Sequence, residues 1–221
     1  MTKREEALLK KELKLKEERE RVHALGKIER QYAHYNFIAG IDEVGRGSIA
    51  GPVVAGAVIL PKDCEILYIN DSKKLSKKKR EAIYDEILEK AIATGLGVVS
   101  SSRIDEINIL QATYEAMRLA LENLSVKPNL LLVDALEIPD VHIEQIPIVK
   151  GDTKSISIAA ASIFSKVSRD KMMADYDEQY SGYELLKNCG YGTKNHLEAL
   201  REKGATPIHR LTFISHITKE S

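Results

Sequence analysis

The chain divides by its apolar and polar pattern into a charged N-terminal stretch and a body of strands and helices. Residues 3–31 are almost all Lys, Glu, Arg and Leu, which are good helix formers. Leu8, Leu15 and Val22 recur every seven residues, but the companion heptad positions are Lys11 and Glu18. A coiled coil needs both positions apolar. The pattern therefore predicts a solvated helix docked by a narrow stripe, with the globular part starting near Asn36.

Beyond Asn36 strands come first. Residues 37–43 and 53–60 are rich in apolar and β-branched side chains, with Gly51-Pro52 between them. Residues 76–93 carry Ile83, Ile87, Leu88 and Ala91 at helical spacing. The pattern then predicts a strand over 95–101 and a helix over 109–124 that stops before Pro128. Short apolar runs follow at 130–133, ending in Asp134, and at 146–149, ending in Lys150-Gly151-Asp152. A helical region over 157–180, one helix or two, and a helix over 196–203 complete the series. Strands first and strand–helix alternation afterwards indicate an α/β domain with a mixed sheet.

Three strand-like runs thus end in carboxylates: Asp42 with Glu43, Asp134 and Asp152. Ligand sites in open α/β sheets gather at the carboxyl ends of parallel strands. If these strands are neighbours, four acids meet at one rim, and their repulsion calls for protons or cations. Oxygen ligands select hard ions such as Mg²⁺ or Mn²⁺. Two such ions suit hydrolysis of a phosphodiester. Each acid also has a plainer reading. Asp152 is placed to cap a helix before Thr153-Lys154-Ser155, and Asp134 to begin a turn towards Pro139. Asp42 and Glu43 resist dismissal, because two acids inside an apolar run need a partner. Asp170 and Asp175, in a charged helical stretch, read as solvated or salt-bridged.

The turn after Glu43, VGRGSIAG, approaches a dinucleotide-binding G-x-G-x-x-G, but Gly51 comes one position late. A β-like VVAGAVIL then stands where a helix should open. A second local signal is NDSKKLSKKKRE, residues 70–81. Ser76 reads as an N-cap, yet Lys77, Lys78, Lys79 and Arg80 fill the first turn against the helix dipole. That placement favours a phosphate-binding edge including Ser72 and Lys73 over a merely solvated charge run. The third signal is Tyr191 between Gly190 and Gly192, an aromatic ring open to a flat ligand face.

Composition narrows the setting. The 221 residues are 43% hydrophobic and 30% charged, enough for one domain with a core and an appendage. Lys+Arg and Asp+Glu balance at 33 each, so any nucleic-acid surface must be local. Cys64 and Cys189 form no disulfide framework and fit a reducing compartment. No signal-peptide core opens the chain, and its longest apolar run, 53–60, is too short to span a bilayer. The expectation is a cytoplasmic protein without a membrane segment.

Taken together, GIDEVGRGSIAGPVVAGAVIL, NDSKKLSKKKR, LLLVDA, VKGDTKSISIAAASIFSKVSRD, GYGTKNH and PIHRLTF resemble ribonuclease HII, the type 2 ribonuclease H, over residues 38–214. The resemblance implies a ribonuclease H-like mixed β-sheet flanked by helices, with a C-terminal helical part. A charged helical extension over 1–35 would precede a catalytic domain over 36–221. It implies cleavage of RNA in RNA–DNA hybrids and incision 5′ of ribonucleotides embedded in duplex DNA. Two Mg²⁺ or Mn²⁺ ions would take part, leaving 5′-phosphate and 3′-hydroxyl ends. By similarity Asp42, Glu43, Asp134 and Asp152 are the catalytic, metal-holding carboxylates. Gly45, Arg46 and Gly47 match the motif that senses the 2′-hydroxyl, and Tyr191 the tyrosine that packs on the deoxyribose past the RNA–DNA junction. Asn70, Ser72 and Lys73 join the substrate-binding set. Cys189 stands where family members often carry a basic residue. The resemblance implies nucleic acid as the partner, and the expected working form is a monomer. The alternatives are ribonuclease HIII or another two-metal nuclease of the same superfold.

Overall fold

The structure, a computed structural model, describes residues 2–218; positions 219–221 of the expected catalytic domain lie outside the described residues. The chain opens with helices α1 (Lys3–Leu25) and α2 (Lys27–Gln31). Thr2 and Glu5 cap α1 reciprocally: Glu5 N donates to Thr2 Oγ1 at 3.3 Å and Thr2 N to Glu5 Oε2 at 2.7 Å. Leu8, Leu9 and Leu13 stay exposed, whereas Val22 and Leu25 pack with Ile66, Ile69 and Ile156. The narrow stripe is therefore at the end of the helix. Arg21 Nη2 reinforces it by donating to Ile69 O at 2.6 Å.

Five strands form one sheet in the order β3-β2-β1-β4-β5. These are β1 (Ile38–Val44), β2 (Val53–Ile59), β3 (Ala93–Val99), β4 (Leu130–Asp134) and β5 (Glu144–Ile148). β2 pairs antiparallel with β1 and β3, while β4 pairs parallel with β1 and β5. The mixed sheet expected from strand order is present. β2 is an antiparallel neighbour of β1, so no helix opens after the glycine turn and the dinucleotide pattern is excluded. Pro147 sits in β5 at the sheet edge, where its missing N–H is tolerated.

Helices cover both faces. Helix α4 (Ser101–Glu122) packs on one side over Ile41, Ala55, Ala57 and Val133. Helix α5 (Ile156–Gln179) packs on the other, with α3 (Lys77–Lys90) against it. Gly40 lets α5 approach β1: a methyl there would stand 2.0 Å from the Ser157 carbonyl carbon. Helix α5 is continuous rather than two helices. Ser155 is its N-cap, accepting from Ile158 N at 3.2 Å, so Asp152 is not.

Helix α4 begins eight residues before the expected start at 109. Ser100 caps it, accepting from Arg103 N at 3.2 Å. The helix breaks at Asn108 (φ 66°, ψ 166°), whose Oδ1 accepts from Leu110 N and Gln111 N. Periodicity located the second segment, and the seven residues 101–107 before the break, about two turns, carried too little pattern to register. The C-terminal part comprises α6 (Leu185–Asn188), α7 (Lys194–Lys203) and α8 (Leu211–Thr218). Asp105 from α4 caps α8, accepting from Leu211 N at 2.8 Å and Thr212 N at 3.0 Å. Among the described residues no helix is long and apolar enough to cross a membrane.

Candidate active site

β1 and β4 part at the carboxylates. Their last paired residues are Ile41 and Val133, and the next positions are Asp42 and Asp134. Paired positions on parallel strands face the same way, so both aspartates leave the sheet towards α5. Asp42 is only 8% exposed, and Glu43 N donates to its Oδ1 at 2.8 Å. Burial, then the Glu43 charge, pushes Asp42 well above the ordinary carboxylate value, and a Ser162 hydrogen bond opposes this. The Ser162 and Ser72 hydroxyls are themselves 3.2 Å apart.

Glu43 is also raised by burial, against the lowering effect of Arg46. Arg46 Nη1 donates to Glu43 Oε1 at 3.1 Å. Glu43 Oε2 is buried without a hydrogen-bond partner. Asp134 Oδ1 accepts from Gly151 N at 2.7 Å. That bond ties the end of β4 to the 3₁₀ turn Gly151–Thr153, which carries Asp152. Burial raises Asp152, as do the charges of Asp71 and Asp134, while Lys73 and Lys74 offset them. The four acids thus influence one another across one rim. Among the described residues they do not close into a cage of three or more metal ligands.

Asn70, Ser72 and Lys73 lie beside this rim. Ser72 is buried, and Asn70 Oδ1 accepts from Asp71 N at 2.8 Å. Asp71 Oδ1 accepts from Lys73 N at 2.9 Å, leaving the Lys73 side chain exposed. Ser76 caps α3 as the sequence suggests. Lys77, Lys78 and Lys79 are exposed, but Arg80 turns inward and Nη1 donates to Ser72 O at 2.6 Å. Asp170 is paired with Lys166 at 2.7 Å, as its charged surroundings suggested.

The glycine turn meets Tyr191 from the opposite side. Gly45 holds φ +89°, and a methyl there would stand 2.3 Å from Arg169 Nε and 2.8 Å from Pro52 O. A methyl at Gly47 would lie 3.9 Å from Tyr191 Cε1, so the turn and the ring are neighbours. Tyr191 is 40% exposed. The two loops are joined where Gly190 O accepts from Ile49 N at 2.9 Å.

Two fully buried arginines, which sequence reasoning missed, brace this junction. Arg210 donates to Gly45 O at 2.7 Å, Arg46 O at 3.0 Å and Gly51 O at 2.8 Å. Arg169 donates to Pro52 O at 2.9 Å, Cys189 O at 2.8 Å and Ala50 O at 3.2 Å. Their planar donor forks satisfy carbonyls that tight turns leave unpaired. Burial, then the Arg169 charge, brings Arg210 down to about 9, which leaves it charged at neutral pH. No local signal marked Arg169, which stands among polar residues in SKVSRD; Arg210 in PIHRLTF at least has apolar neighbours. Ser162 and Asp71 were missed too, since neither differs locally from a helix serine or a turn acid.

The profile of the Ribonuclease HII family matches residues 39–216. The chain belongs to the ribonuclease HII family. It is similar to a ribonuclease HII of Lachnoclostridium phytofermentans, with 62% identity over 93% of this chain and 81% of the relative. A ribonuclease HII of Enterococcus faecalis is 58% identical over 81% of this chain and 70% of that protein. Among solved structures, ribonuclease H2 from Pyrococcus horikoshii superposes with a TM-score of 0.70 at 26% identity, covering 83% of this chain and 98% of the other. Membership makes the chain a ribonuclease H hydrolase, an endoribonuclease of RNA–DNA hybrids, and sets ribonuclease HIII aside.

Proposed function

We propose that the chain incises the 5′ side of ribonucleotides embedded in duplex DNA, besides cleaving RNA in hybrids, with two divalent ions held by Asp42, Glu43, Asp134 and Asp152. The observation that carries the cation reading is Glu43 Oε2, a buried carboxylate oxygen with no partner, beside the raised Asp42. Such an oxygen is costly unless a cation or proton meets it. An all-oxygen donor set suits Mg²⁺ or Mn²⁺, and phosphate and water complete such sites, so a closed protein cage is not needed. When bound, two such ions activate water for attack and stabilise the leaving 3′ oxygen.

In this reading Asp42, at the centre of the cluster, would hold the ions together with Glu43 and Asp134, and the less buried Asp152 would contribute more weakly. Arg46 keeps Glu43 oriented through its 3.1 Å ion pair. The backbone of Gly45, Arg46 and Gly47 reads the 2′-hydroxyl, the group that separates RNA from DNA. Tyr191, adjacent to Gly47, packs on the sugar past the junction. Asn70, Ser72 and Lys73 shape the edge where a backbone phosphate lies, with the Lys73 ammonium as its charge. The working form in this reading is a monomer. Residues 1–35 are an extension to the catalytic domain over 36–221, exposed at the start and docked at the end.

The test is cleavage mapping on a duplex with one embedded ribonucleotide, with Mg²⁺, Mn²⁺ or EDTA. A single cut 5′ of the ribonucleotide that requires the ion supports the reading. Metal-independent cleavage, or a cut elsewhere, removes it.

A further inference from the structure

His196 and His209 are buried side by side beneath Tyr191, at 0% and 2% exposure. Their contacts leave one arrangement of protons. Thr206 N, which can only donate, points to His209 Nδ1 at 3.0 Å, so that nitrogen accepts. A neutral His209 then carries its proton on Nε2. That atom lies 3.1 Å from His196 Nε2, which must therefore accept. His196 is left with its proton on Nδ1, 2.9 Å from the carbonyl oxygen of Tyr191. Reversing either ring would place two lone pairs or two protons face to face. Burial lowers both imidazoles, and the His196 charge adds to the effect on His209, which falls to about 4, so both are neutral at physiological pH. Tyr183 closes the third side, its ring centroid 5.1 Å from His209 and 6.0 Å from His196.

The same short segment governs the opposite wall. Arg210 follows His209 directly and clamps the carbonyls of Gly45, Arg46 and Gly51. Two adjacent residues therefore act on both walls: Arg210 holds the carbonyls of Gly45 and Arg46, and His209 reaches Tyr191 through His196. A shift of Tyr191 relative to Gly47 would change the fit of a junction between them.

We propose that His196 and His209 form a neutral hydrogen-bonded relay that positions Tyr191 against the glycine turn, making them positioning residues for the RNA–DNA junction. This rests on the reading of Tyr191 as the junction-side contact.

The experiment is a double-mutant cycle on rates with a single embedded ribonucleotide and with a long hybrid. His196→Ala is made in wild type and in Tyr191→Ala, with His196→Asn as the rescue, since its amide donates from near the Nδ1 position. His196→Ala should lower the single-ribonucleotide rate about five- to tenfold, the worth of one buried hydrogen bond. It should cost almost nothing more once Tyr191 is alanine, and Asn should restore most of the rate. Equal losses in both backgrounds would overturn the relay. If Tyr191→Ala itself is equally impaired on both substrates, the junction reading of Tyr191 fails, while non-additivity still decides the relay. Should His196→Ala fail to fold, imidazole ¹⁵N spectra of the wild-type protein decide instead. Protons on His196 Nδ1 and His209 Nε2 support the relay, and the opposite tautomers refute it.

Discussion

Arg46 holds one oxygen of Glu43 at 3.1 Å, and the other oxygen of that carboxylate is buried with no partner. Half of the group is satisfied by the protein and half is left for something else. An ion pair at a rim with an open position orients a ligand without consuming it.

Removing that orientation should alter cation binding. Arg46 opposes the rise of Glu43 caused by burial. Arg46→Met should therefore push the Glu43 carboxyl further up, so the acid limb of Mn²⁺ binding moves to higher pH. Titration calorimetry with Mn²⁺ across pH 5–8 reads this directly. An unmoved limb would mean that Arg46 serves substrate phosphate alone.

Asp42→Asn should abolish cleavage while leaving hybrid binding largely intact. Its effect on stability has a sign set by pH. An acid raised in the fold above its ordinary 3.8 adds stability below that value, which is lost as pH rises through the folded value. In EDTA the mutant should thus melt at or above wild type near neutrality, and the difference should vanish towards pH 4. Thermal melts with EDTA at several pH values check this; near-normal cleavage by the mutant would take Asp42 out of the metal site.

The exposed lysines at the start of α3 should act on any duplex. Replacing Lys77, Lys78 and Lys79 by Gln, with Arg80 kept because it holds the Ser72 carbonyl, should flatten the salt dependence of binding. Each phosphate that is no longer neutralised should lower the log–log slope by about 0.9. An unchanged slope would make the run a solvated surface.

Arg210→Met should lower the melting temperature and also blunt selection of the ribonucleotide. Three turn carbonyls are deprived of their donor at once, and each buried polar group left unpaired costs about 1–3 kcal/mol. Arg210→Lys should rescue little, because an ammonium cannot reproduce the planar fork. Calorimetry together with rates on ribonucleotide and all-DNA duplexes separates the two effects.

Tyr191→Ala should lose far more activity on a single embedded ribonucleotide than on a long hybrid, whereas Tyr191→Phe should keep most of it. The ring beside Gly47, not the phenol, makes the proposed contact with the sugar. Cleavage rates for both substrates under one metal and salt condition provide the comparison. Equal losses for the alanine variant would assign the tyrosine to general binding or folding.

Local pattern by itself located the five strands, the main helices and the cap at Ser76, because periodicity and capping depend on near neighbours; β3 and β5 nonetheless begin two residues before their expected starts, and residues 100 and 101 belong to the start of α4. It also singled out Asp42, Glu43, Asp134, Asp152 and Tyr191, since acids closing apolar runs and an aromatic between glycines depart from their surroundings. Only the tertiary structure decided that Asp42 and Asp134 occupy matching ends of parallel strands, because strand order is a long-range choice. It likewise decided that Ser155, not Asp152, caps α5, and that α4 begins at Ser101, ahead of a break at Asn108. Arg169, Arg210, His196 and His209 stayed hidden for a related reason. An arginine or histidine in a chain resembles any surface polar residue until the fold brings turn carbonyls from distant segments within hydrogen-bonding reach.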